Sequence, residues 1–309
     1  MKKNGFILMV LMLAMVLMAS GCAKEETPQS LKIGVMSDIG AAPYIIAKEN
    51  GYFEALGLDV DITVFKSATD RDTAMQTGNL DGAMADMLTI IFYNDAAFDA
   101  KITSQTYGNY VMVSTPTLDK TDVEALDKIE IGISTNTVID FVTDQIAAHA
   151  GILEKVSTVA IPQMPVRLEM LAASELDAAT LPEPLASAAV QNDGDAIMGT
   201  QDLGLQPGIF IMTVAAIKEK NAAIEKLYVG YNQGVDYLNN TDQSAYIQVL
   251  IDQLGFPPSL SDTFDFPELS KAQVADEVTF GTVLSWMKER TLTQSTYSFS
   301  DLSTDAFIK

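Results

Sequence analysis

Residues 32–60 read KIGVMSDIGAAPYIIAKENGYFEALGLDV, and the pattern of this segment indicates the fold class. A short apolar strand is predicted over residues 31–36, and Pro43 suits the first turn of a helix that ends before Gly51. Residues 58–65 then alternate apolar and polar side chains, which is typical of a strand. A strand, a helix and a second strand in this order predict a unit with two parallel strands.

The same alternation continues toward the C-terminus. Further strands are predicted at residues 82–85, 101–106, 110–114, 129–133, 156–161, 178–181, 196–198 and 208–214, with helices between most of them. The tail is predicted to be helical over residues 220–238, 244–254 and 271–290, and Ser270 with Gln273 has the spacing of a capping box for the last helix. The chain is therefore predicted to be an α/β protein with mostly parallel sheets.

Two segments of the chain resemble each other. Residues 71–86 (RDTAMQTGNLDGAMAD) and 167–182 (RLEMLAASELDAATLP) both begin with Arg and carry Leu-Asp nine and ten residues later. Upstream, residues 33–35 match residues 131–133. Because each segment lies in a unit of strands and helices, this internal repeat predicts two similar lobes with a ligand cleft between them.

The N-terminus has the features of an export signal. Lys2 and Lys3 precede an unbroken apolar run of 14 residues, which is shorter than the roughly 20 residues that a membrane-spanning helix needs. The only cysteine, Cys22, follows this run, and the segment resembles the lipobox of bacterial lipoproteins, although Ala19 stands where that family usually has Leu. The resemblance implies a signal peptide over residues 1–21, a lipid on Cys22 and a tether over residues 22–30. The alternatives are an ordinary signal peptide with an incidental cysteine, or a short anchor.

Charge and composition exclude several classes of function. The chain has 19 lysines and arginines against 41 acids, a formal net charge of −22, which becomes −24 without residues 1–21. Nucleic-acid binding is not expected because it requires clustered cations. One His and one Cys exclude a Cys/His zinc site and an internal disulfide, and a His-dependent hydrolase would have to use His149. No cofactor is expected, and a monomer is expected.

The order and spacing of several short motifs resemble a known family. These motifs are Pro43, Ala47, Gly51-Tyr52-Phe53, Gly57-Leu58, Gly78, Asp81-Gly82 and Leu181-Pro182-Glu183-Pro184. Over about residues 31–290, the chain resembles the type II periplasmic binding proteins of ABC importers, in the nitrate/sulfonate/taurine and thiamine-pyrimidine-precursor branch. The resemblance implies a two-lobed α/β fold with two mixed β-sheet lobes and a ligand cleft between them. Lobe one would comprise residues 31–112 plus 208–309, and lobe two residues 113–207.

Polar residues that follow the first strand of each lobe are candidates for ligand binding. Backbone N–H groups at a helix start can bind polar ligand atoms, and an aromatic ring in the first turn could stack on a flat ligand. The alternative is that these hydroxyl and carboxyl groups only cap the helices. The candidates in lobe one are Ser37, Asp38 and Tyr44, and those in lobe two are Ser134, Asn136 and Thr137.

Two acids end matching strands of the repeat. Asp86 and Glu183 would face the cleft from opposite lobes, and two carboxylates there favour a ligand with N–H donors or positive charge. The alternative is that Asp86 caps the next helix and that Glu183 lies in its first turn. Met87, next to Asp86, and Tyr107, near the predicted crossover between the lobes, complete the candidates.

The remaining charged candidates are assigned to structure. Arg71 and Arg167 occupy matching places in the repeat, which favours a shared structural task such as pairing with Asp81 and Asp177 or with helix ends. His149 stands near a helix C-terminus, where a cation suits the helix dipole.

Two classes of function remain open. The first is a lipid-anchored receptor on the outer face of a bacterial cytoplasmic membrane, which closes on a small solute and delivers it to the permease of an ABC transporter without catalysis. The paired acids favour a nitrogenous heterocycle, such as a thiamine pyrimidine precursor, and a sulfonate, nitrate or taurine-type anion is the alternative. The second class is a pyrimidine-synthase-like enzyme on the same fold. The chain lacks the cysteine-rich motif of that enzyme.

Overall fold

The computed structural model describes residues 29–116, 118, 128–261 and 263–308, and its strands form two five-stranded sheets. The predicted signal peptide, Cys22 and nearly all of the tether lie outside these residues. The first sheet contains β1 (Gln29–Met36), β2 (Leu58–Phe65), β3 (Gly82–Asp86), β4 (Ala100–Gln105) and β10 (Gly208–Thr213). The second contains β5 (Tyr110–Ser114), β6 (Ile129–Ile133), β7 (Val156–Ala160), β8 (Ala178–Pro182) and β9 (Asp195–Gly199).

The described residues also contain twelve α-helices. The first six are α1 (Ala42–Glu49), α2 (Tyr52–Ala55), α3 (Ala68–Gln76), α4 (Met87–Asp95), α5 (Val138–His149) and α6 (Met164–Ala172). The other six are α7 (Leu185–Gln191), α8 (Val214–Glu219), α9 (Asn221–Asn240), α10 (Ile247–Leu254), α11 (Glu277–Glu289) and α12 (Phe299–Leu302). No helix among the described residues is long and apolar enough to cross a membrane.

The two sheets have the same topology. Their strand orders are β2-β1-β3-β10-β4 and β7-β6-β8-β5-β9, so corresponding strands occupy corresponding places. In each sheet the first three strands are parallel, and a fourth strand, β10 or β5, runs antiparallel to them. The chain crosses between the sheets before Tyr110 and before Gly208. The sequence placed the first boundary after residue 112, which falls inside β5.

Two aspartates give the repeat a shared structural detail. Asp81 accepts a hydrogen bond from the backbone N–H of Lys32 (2.8 Å), while its own N–H donates to the Lys32 carbonyl (2.7 Å). Asp177 makes the same pair of bonds with Glu130, at 2.8 and 3.0 Å. Each aspartate therefore fixes the start of the first strand of its lobe, which supports the repeat inferred from the sequence.

Helices α1 and α9 pack closely on one face of the first sheet. Tyr44 of α1 lies in this layer with 1% of its surface exposed, and its ring contacts Phe210 and Tyr231 at centroid distances of 5.2 and 4.7 Å. Gly234 of α9 lies against α1, where a Cβ atom would approach the Pro43 carbonyl oxygen to 2.3 Å. This contact requires glycine, and it places Tyr44 in the core.

The last long helix begins later than the sequence predicted. The capping box of Ser270 and Gln273 does not form, and α11 starts at Glu277 with Asp276 as its cap. The backbone before it is engaged by β4, because the Gln105 N–H donates to the Gln273 carbonyl and the Asp276 N–H donates to Gln105 Oε1, both at 2.8 Å. These pairings hold the segment in a non-helical conformation.

Helix α11 also connects the two lobes. Trp286 donates its indole N–H to Asp144 of α5 (2.9 Å), and the Arg290 guanidinium pairs with the same carboxylate. The Arg290 guanidinium also lies 5.0 Å from the centroid of the Trp286 ring. A helix that packs on α4 of the first lobe is thereby linked to α5, the first long helix of the second lobe.

Candidate functional site

A cavity of about 40 Å³ lies between the lobes, at the carboxyl ends of β1, β3 and β8. One ordered water needs roughly 10–15 Å³ of such space, so the cavity suits a small polar group. The lobes are joined beside it by two backbone bonds, from the Ile39 N–H to the Glu183 carbonyl and from the Met164 N–H to the Lys66 carbonyl, both 3.1 Å. Its charged and hydroxyl lining includes Asp38, Arg71, Asp86, Ser134, Thr137 and Arg167.

Arg71 enters the cavity wall from α3 with its charge already matched. Its guanidinium forms an ion pair with Asp72 (2.7 Å) and donates to Thr89 Oγ1 (2.9 Å). Burial alone would lower the pKa of Arg71, but the negative charges of Asp72 and Asp86 outweigh burial and raise it. The pairing with Asp81 suggested by the sequence does not occur, since Asp81 instead binds Lys220 (2.8 Å).

Arg167 enters the same cavity from α6 of the second lobe without a matching acid. Its Nη1 donates to the Ile161 carbonyl (3.0 Å), whereas Nε and Nη2 are buried and have no hydrogen-bond partner among the described residues. Burial lowers the pKa of Arg167 to about 9. No ion pair to Arg167 forms among the described residues, so the suggested pairing with Asp177 does not occur. A buried charged group without a partner is costly and requires an explanation.

The repeat shows why the two arginines differ. The position after Arg71 holds Asp72, while the position after Arg167 holds Leu168. Asp86 at the end of β3 likewise corresponds to Pro182 at the end of β8. The acids that neutralise Arg71 are thus replaced by apolar residues around Arg167.

The stem of Arg167 is held by close packing on β6. A Cβ atom on Gly132 would lie 3.1 Å from Cγ of Arg167 and 2.6 Å from Cδ1 of Leu176. Glycine at this position therefore lets α6 approach the sheet, and the completely buried Arg167 side chain is fixed in place.

Two predicted acids line the cavity from the first lobe. Burial raises the pKa of Asp38 to about 7, against the opposing influence of the Gly40 and Ala41 N–H groups and of Arg71. Burial also raises the pKa of Asp86, although Arg71 and the Thr89 N–H oppose it. Asp86 caps α4 by accepting from the N–H groups of Leu88 and Thr89, whereas Asp38 Oδ1 has no hydrogen-bond partner in the part of the chain that the structure describes.

Two predicted hydroxyl residues line the cavity from the second lobe. Thr137 caps α5: its Oγ1 accepts from the Ile139 N–H (3.2 Å) and donates to the Ser134 carbonyl (2.7 Å). Asn136 between them is exposed with φ +56, and its N–H donates to Asp140 Oδ2 (2.8 Å). The N-terminus of α5 thus faces the cavity, while Asn136 lies outside the lining.

The other predicted residues lie elsewhere. Ser37 donates to the Leu254 carbonyl (2.6 Å), Tyr44 and Met87 are buried in the core, and Glu183 accepts from the Ser187 N–H (3.0 Å). Tyr107 receives a hydrogen bond from Gln201 (3.1 Å) beside a separate polar cavity of about 320 Å³. Of the predicted ligand-binding residues, the cavity brings together Asp38, Asp86, Ser134 and Thr137. It is also lined by Arg167, for which the sequence predicted a structural role.

The missed arginine had a detectable signal. The repeat aligned Arg71 with Arg167, and comparing the following residues, Asp72 and Leu168, separates a paired guanidinium from an unpaired one. Tyr110 of β5 also lines the cavity, but the sequence does not indicate this. Its place beside the cavity depends on the order of the strands in the sheet, which the sequence pattern does not give.

Solved structures with the same fold are numerous. The periplasmic aliphatic sulphonate binding protein SsuA from Escherichia coli is 14% identical, with a TM-score of 0.74, 89% of this chain covered and 97% of that chain. The alkanesulfonate-binding protein SsuA from Xanthomonas axonopodis pv. citri, bound to MOPS, is 16% identical (TM-score 0.75, 90% and 98% covered). The periplasmic nitrate-binding protein NrtA from Synechocystis PCC 6803 is 13% identical (TM-score 0.71, 91% and 87% covered).

These likenesses confirm the predicted α/β fold with two mixed sheets, that of periplasmic binding proteins. No curated protein sequence matches the chain. The NMT1-like family matches residues 24–251, about three quarters of the sequence. On that match, and in agreement with the resemblance found in its motifs, the chain belongs to the NMT1-like family.

Proposed function

We propose that this protein is the extracytoplasmic solute-binding receptor of an ABC importer, and that its solute carries a small acid group. The solute binds between the lobes and is delivered to a membrane permease. The observation that carries the proposal is the buried guanidinium of Arg167, a residue that lines the interlobe cavity and whose Nε and Nη2 have no hydrogen-bond partner among the described residues.

The chemistry of this guanidinium favours an oxyanion. Two N–H groups on one planar fork match two oxygens of a carboxylate, sulfonate or nitrate, and such paired bonds are strong in a buried site. The N-terminus of α5, capped by Thr137, adds a favourable dipole at the same cavity. Fold relatives named as sulfonate-binding and nitrate-binding proteins agree with this solute class.

A nitrogenous heterocycle, such as a thiamine pyrimidine precursor, remains the second candidate. The cavity-lining carboxylates of Asp38 and Asp86 favour N–H donors. We place the acid first because Asp86 is already engaged by α4 and Arg71, whereas Arg167 has only the Ile161 carbonyl. A catalytic role is not proposed, and the described cavity lining includes no His, Cys or Lys.

Calorimetric titration of the full chain, purified in detergent, tests the solute class. The panel comprises nitrate, short alkanesulfonates, short carboxylates and an aminopyrimidine. Saturable binding of acids that are recovered unchanged supports the proposal. Binding of the aminopyrimidine alone would replace it with the second candidate, and turnover of any solute would replace the receptor with an enzyme.

The export and lipid anchor are part of the same proposal. Cys22 and the signal peptide lie outside the described residues, so the proposal rests on their sequence pattern. Mass spectrometry of the membrane-extracted protein should find an N-terminus at Cys22 with added acyl mass. Cys22→Ser should remain unprocessed, and an unmodified Cys22 in the native protein would reject the anchor.

A further inference from the structure

We propose that Asp38 is a specificity-determining residue that selects solutes with a cationic N–H group, so that the solute is a small zwitterion. This inference rests on the proposed function, because it assumes that Arg167 binds the acid end of the same solute. It concerns the other end, which the acid-binding site alone does not specify.

Asp38 is held rigidly at the wall of the cavity. It follows β1, its N–H donates to the Met36 carbonyl (2.8 Å) and its carbonyl accepts from Ala41 (3.2 Å). The next turn packs against the lobe crossover, since a Cβ atom on Gly40 would come within 2.5 Å of the Tyr107 carbonyl oxygen. Asp38 is 6% exposed, and its Oδ1 is buried without a hydrogen-bond partner.

The cavity is therefore lined by two groups of opposite charge that each keep polar atoms without a hydrogen-bond partner among the described residues. Asp38 Oδ1 belongs to the first lobe, and the Arg167 guanidinium belongs to the second. These two residues form no ion pair with each other in the described part of the chain. A monoanion would leave Asp38 without a partner, and a monocation would leave Arg167 without one. A solute with an acid at one end and an ammonium or amidinium at the other satisfies both.

The other acids near the cavity are already engaged. Asp86 accepts from two α4 N–H groups and faces Arg71, while the Glu183 carboxylate accepts from the Ser187 N–H. Asp72 is paired with Arg71. Among these acids, Asp38 is consequently the one that lines the cavity and keeps a carboxylate oxygen, Oδ1, without a hydrogen-bond partner in the described part of the chain.

The protonation of Asp38 provides a measurable test of whether its carboxylate binds the cationic end of the solute. The ionisable groups that face Asp38 are Arg71, Asp86, Tyr107, Tyr110, Arg167 and Glu183. Burial raises the pKa of Asp38 to about 7, so part of the population is protonated near neutral pH. A cationic group favours the ionised form, and binding of a zwitterion should release a proton. If protonated Asp38 instead donated to the acid end, binding would take up a proton.

Matched probes separate the two ends of the solute. The full chain is titrated near pH 7 with 2-aminoethanesulfonate against ethanesulfonate, and with 3-aminopropionate against propionate. We expect each amine-bearing probe to bind at least about 30-fold more tightly than its amine-free partner, which is within the range for a close buried charge pair. Repeating the titration in buffers of different ionisation enthalpy should show proton release.

Two variants make the outcome decisive. Asp38→Asn should bring each amino probe down to the affinity of its amine-free partner, and Arg167→Gln should weaken both members of each pair. Equal affinities within each pair, or proton uptake by the unmodified protein, would overturn this inference while leaving the proposed function in place. Absence of binding by every acid, with or without an amine, would overturn both. The proton measurement uses the unmodified protein, so it decides the question even if a variant fails to fold.

Discussion

Arg71 and Arg167 occupy matching places in the two lobes, but within the described residues only Arg71 has a carboxylate partner. Both side chains are nearly or completely buried at one cavity. In the first lobe the charge is balanced within the protein by Asp72, and in the second lobe the balancing charge must come from elsewhere. This difference within a repeated framework is the physical basis of the proposed receptor.

Replacing each arginine by Met should change stability in opposite directions. Arg167→Met removes a buried, unpaired charge, and we expect the free energy of unfolding without solute to rise by about 1–4 kcal/mol. Arg71→Met leaves Asp72 and Asp86 without their cation, and the expected loss is about 3–5 kcal/mol. Denaturant unfolding of both variants measures the contrast. A loss of several kcal/mol in Arg167→Met would show that this guanidinium is structural.

Asp38 should make the solute-free protein less stable as pH rises. Burial raises the pKa of Asp38 to about 7 in the folded state, against an ordinary value of 3.8, so the folded state binds more protons between these pH values. The free energy of unfolding should therefore fall between pH 4 and pH 7, with a contribution from this group of a few kcal/mol at most, or about 1.4 kcal/mol per pKa unit. Asp38→Asn should flatten that part of the profile. An unchanged slope would mean that Asp38 ionises with an ordinary pKa.

Replacing two glycines in long helices by alanine should change the stability of the protein in opposite directions. Gly234→Ala places a methyl group against the Pro43 backbone, and overpacking of this kind costs about 1–3 kcal/mol. Gly281→Ala in α11 meets nothing within 4 Å and should stabilise the protein by about 0.5–1 kcal/mol through helix propensity. Thermal unfolding of the two variants provides the comparison. A neutral Gly234→Ala would contradict the close approach of α1 and α9.

The contact between Asp144 and Trp286 should contribute more to stability than the exposed charge beside it. Asp144→Leu leaves the buried indole N–H unsatisfied, and a loss of about 1–3 kcal/mol is expected. Arg290→Gln removes a charge that is 42% exposed and should cost less than about 1 kcal/mol. Since Trp286 is the only tryptophan, its fluorescence can report the unfolding transition of each variant. Equal losses would assign the stabilisation to the ion pair instead.

The sequence was most informative where local pattern determines structure. Residues 31–36 and 58–65 alternate or cluster as strands and form β1 and β2, and the Leu-Asp pairs of the repeat mark the matching Asp81 and Asp177. The sequence also predicted correctly that polar residues at strand ends lie near one another. Asp38 follows β1 and Asp86 ends β3, and the carboxyl ends of both strands meet at the cavity.

The sequence was least informative where distant contacts decide the outcome. Tyr44 lies in the first turn of α1, where it could have faced a ligand, yet its ring packs against Phe210 and Tyr231 in the core. Ser270 and Gln273 have helix-capping spacing, but pairing with Gln105 prevents the helix from starting there. Whether Arg167 has an acid beside it depends on the whole fold, and the sequence offers only the comparison within the repeat, where Leu168 stands in the place of Asp72.

The proposed receptor depends on Arg167 receiving the acid group of its solute. A crystal structure of the full chain with a tightly bound acid from the titration panel would show the contacts of that group. We expect acid oxygens at about 2.7–2.9 Å from Nε and Nη2 of Arg167, the distance of a charge-assisted hydrogen bond. An acid group bound elsewhere, with Nε and Nη2 of Arg167 still unpartnered, would rule out this role of Arg167.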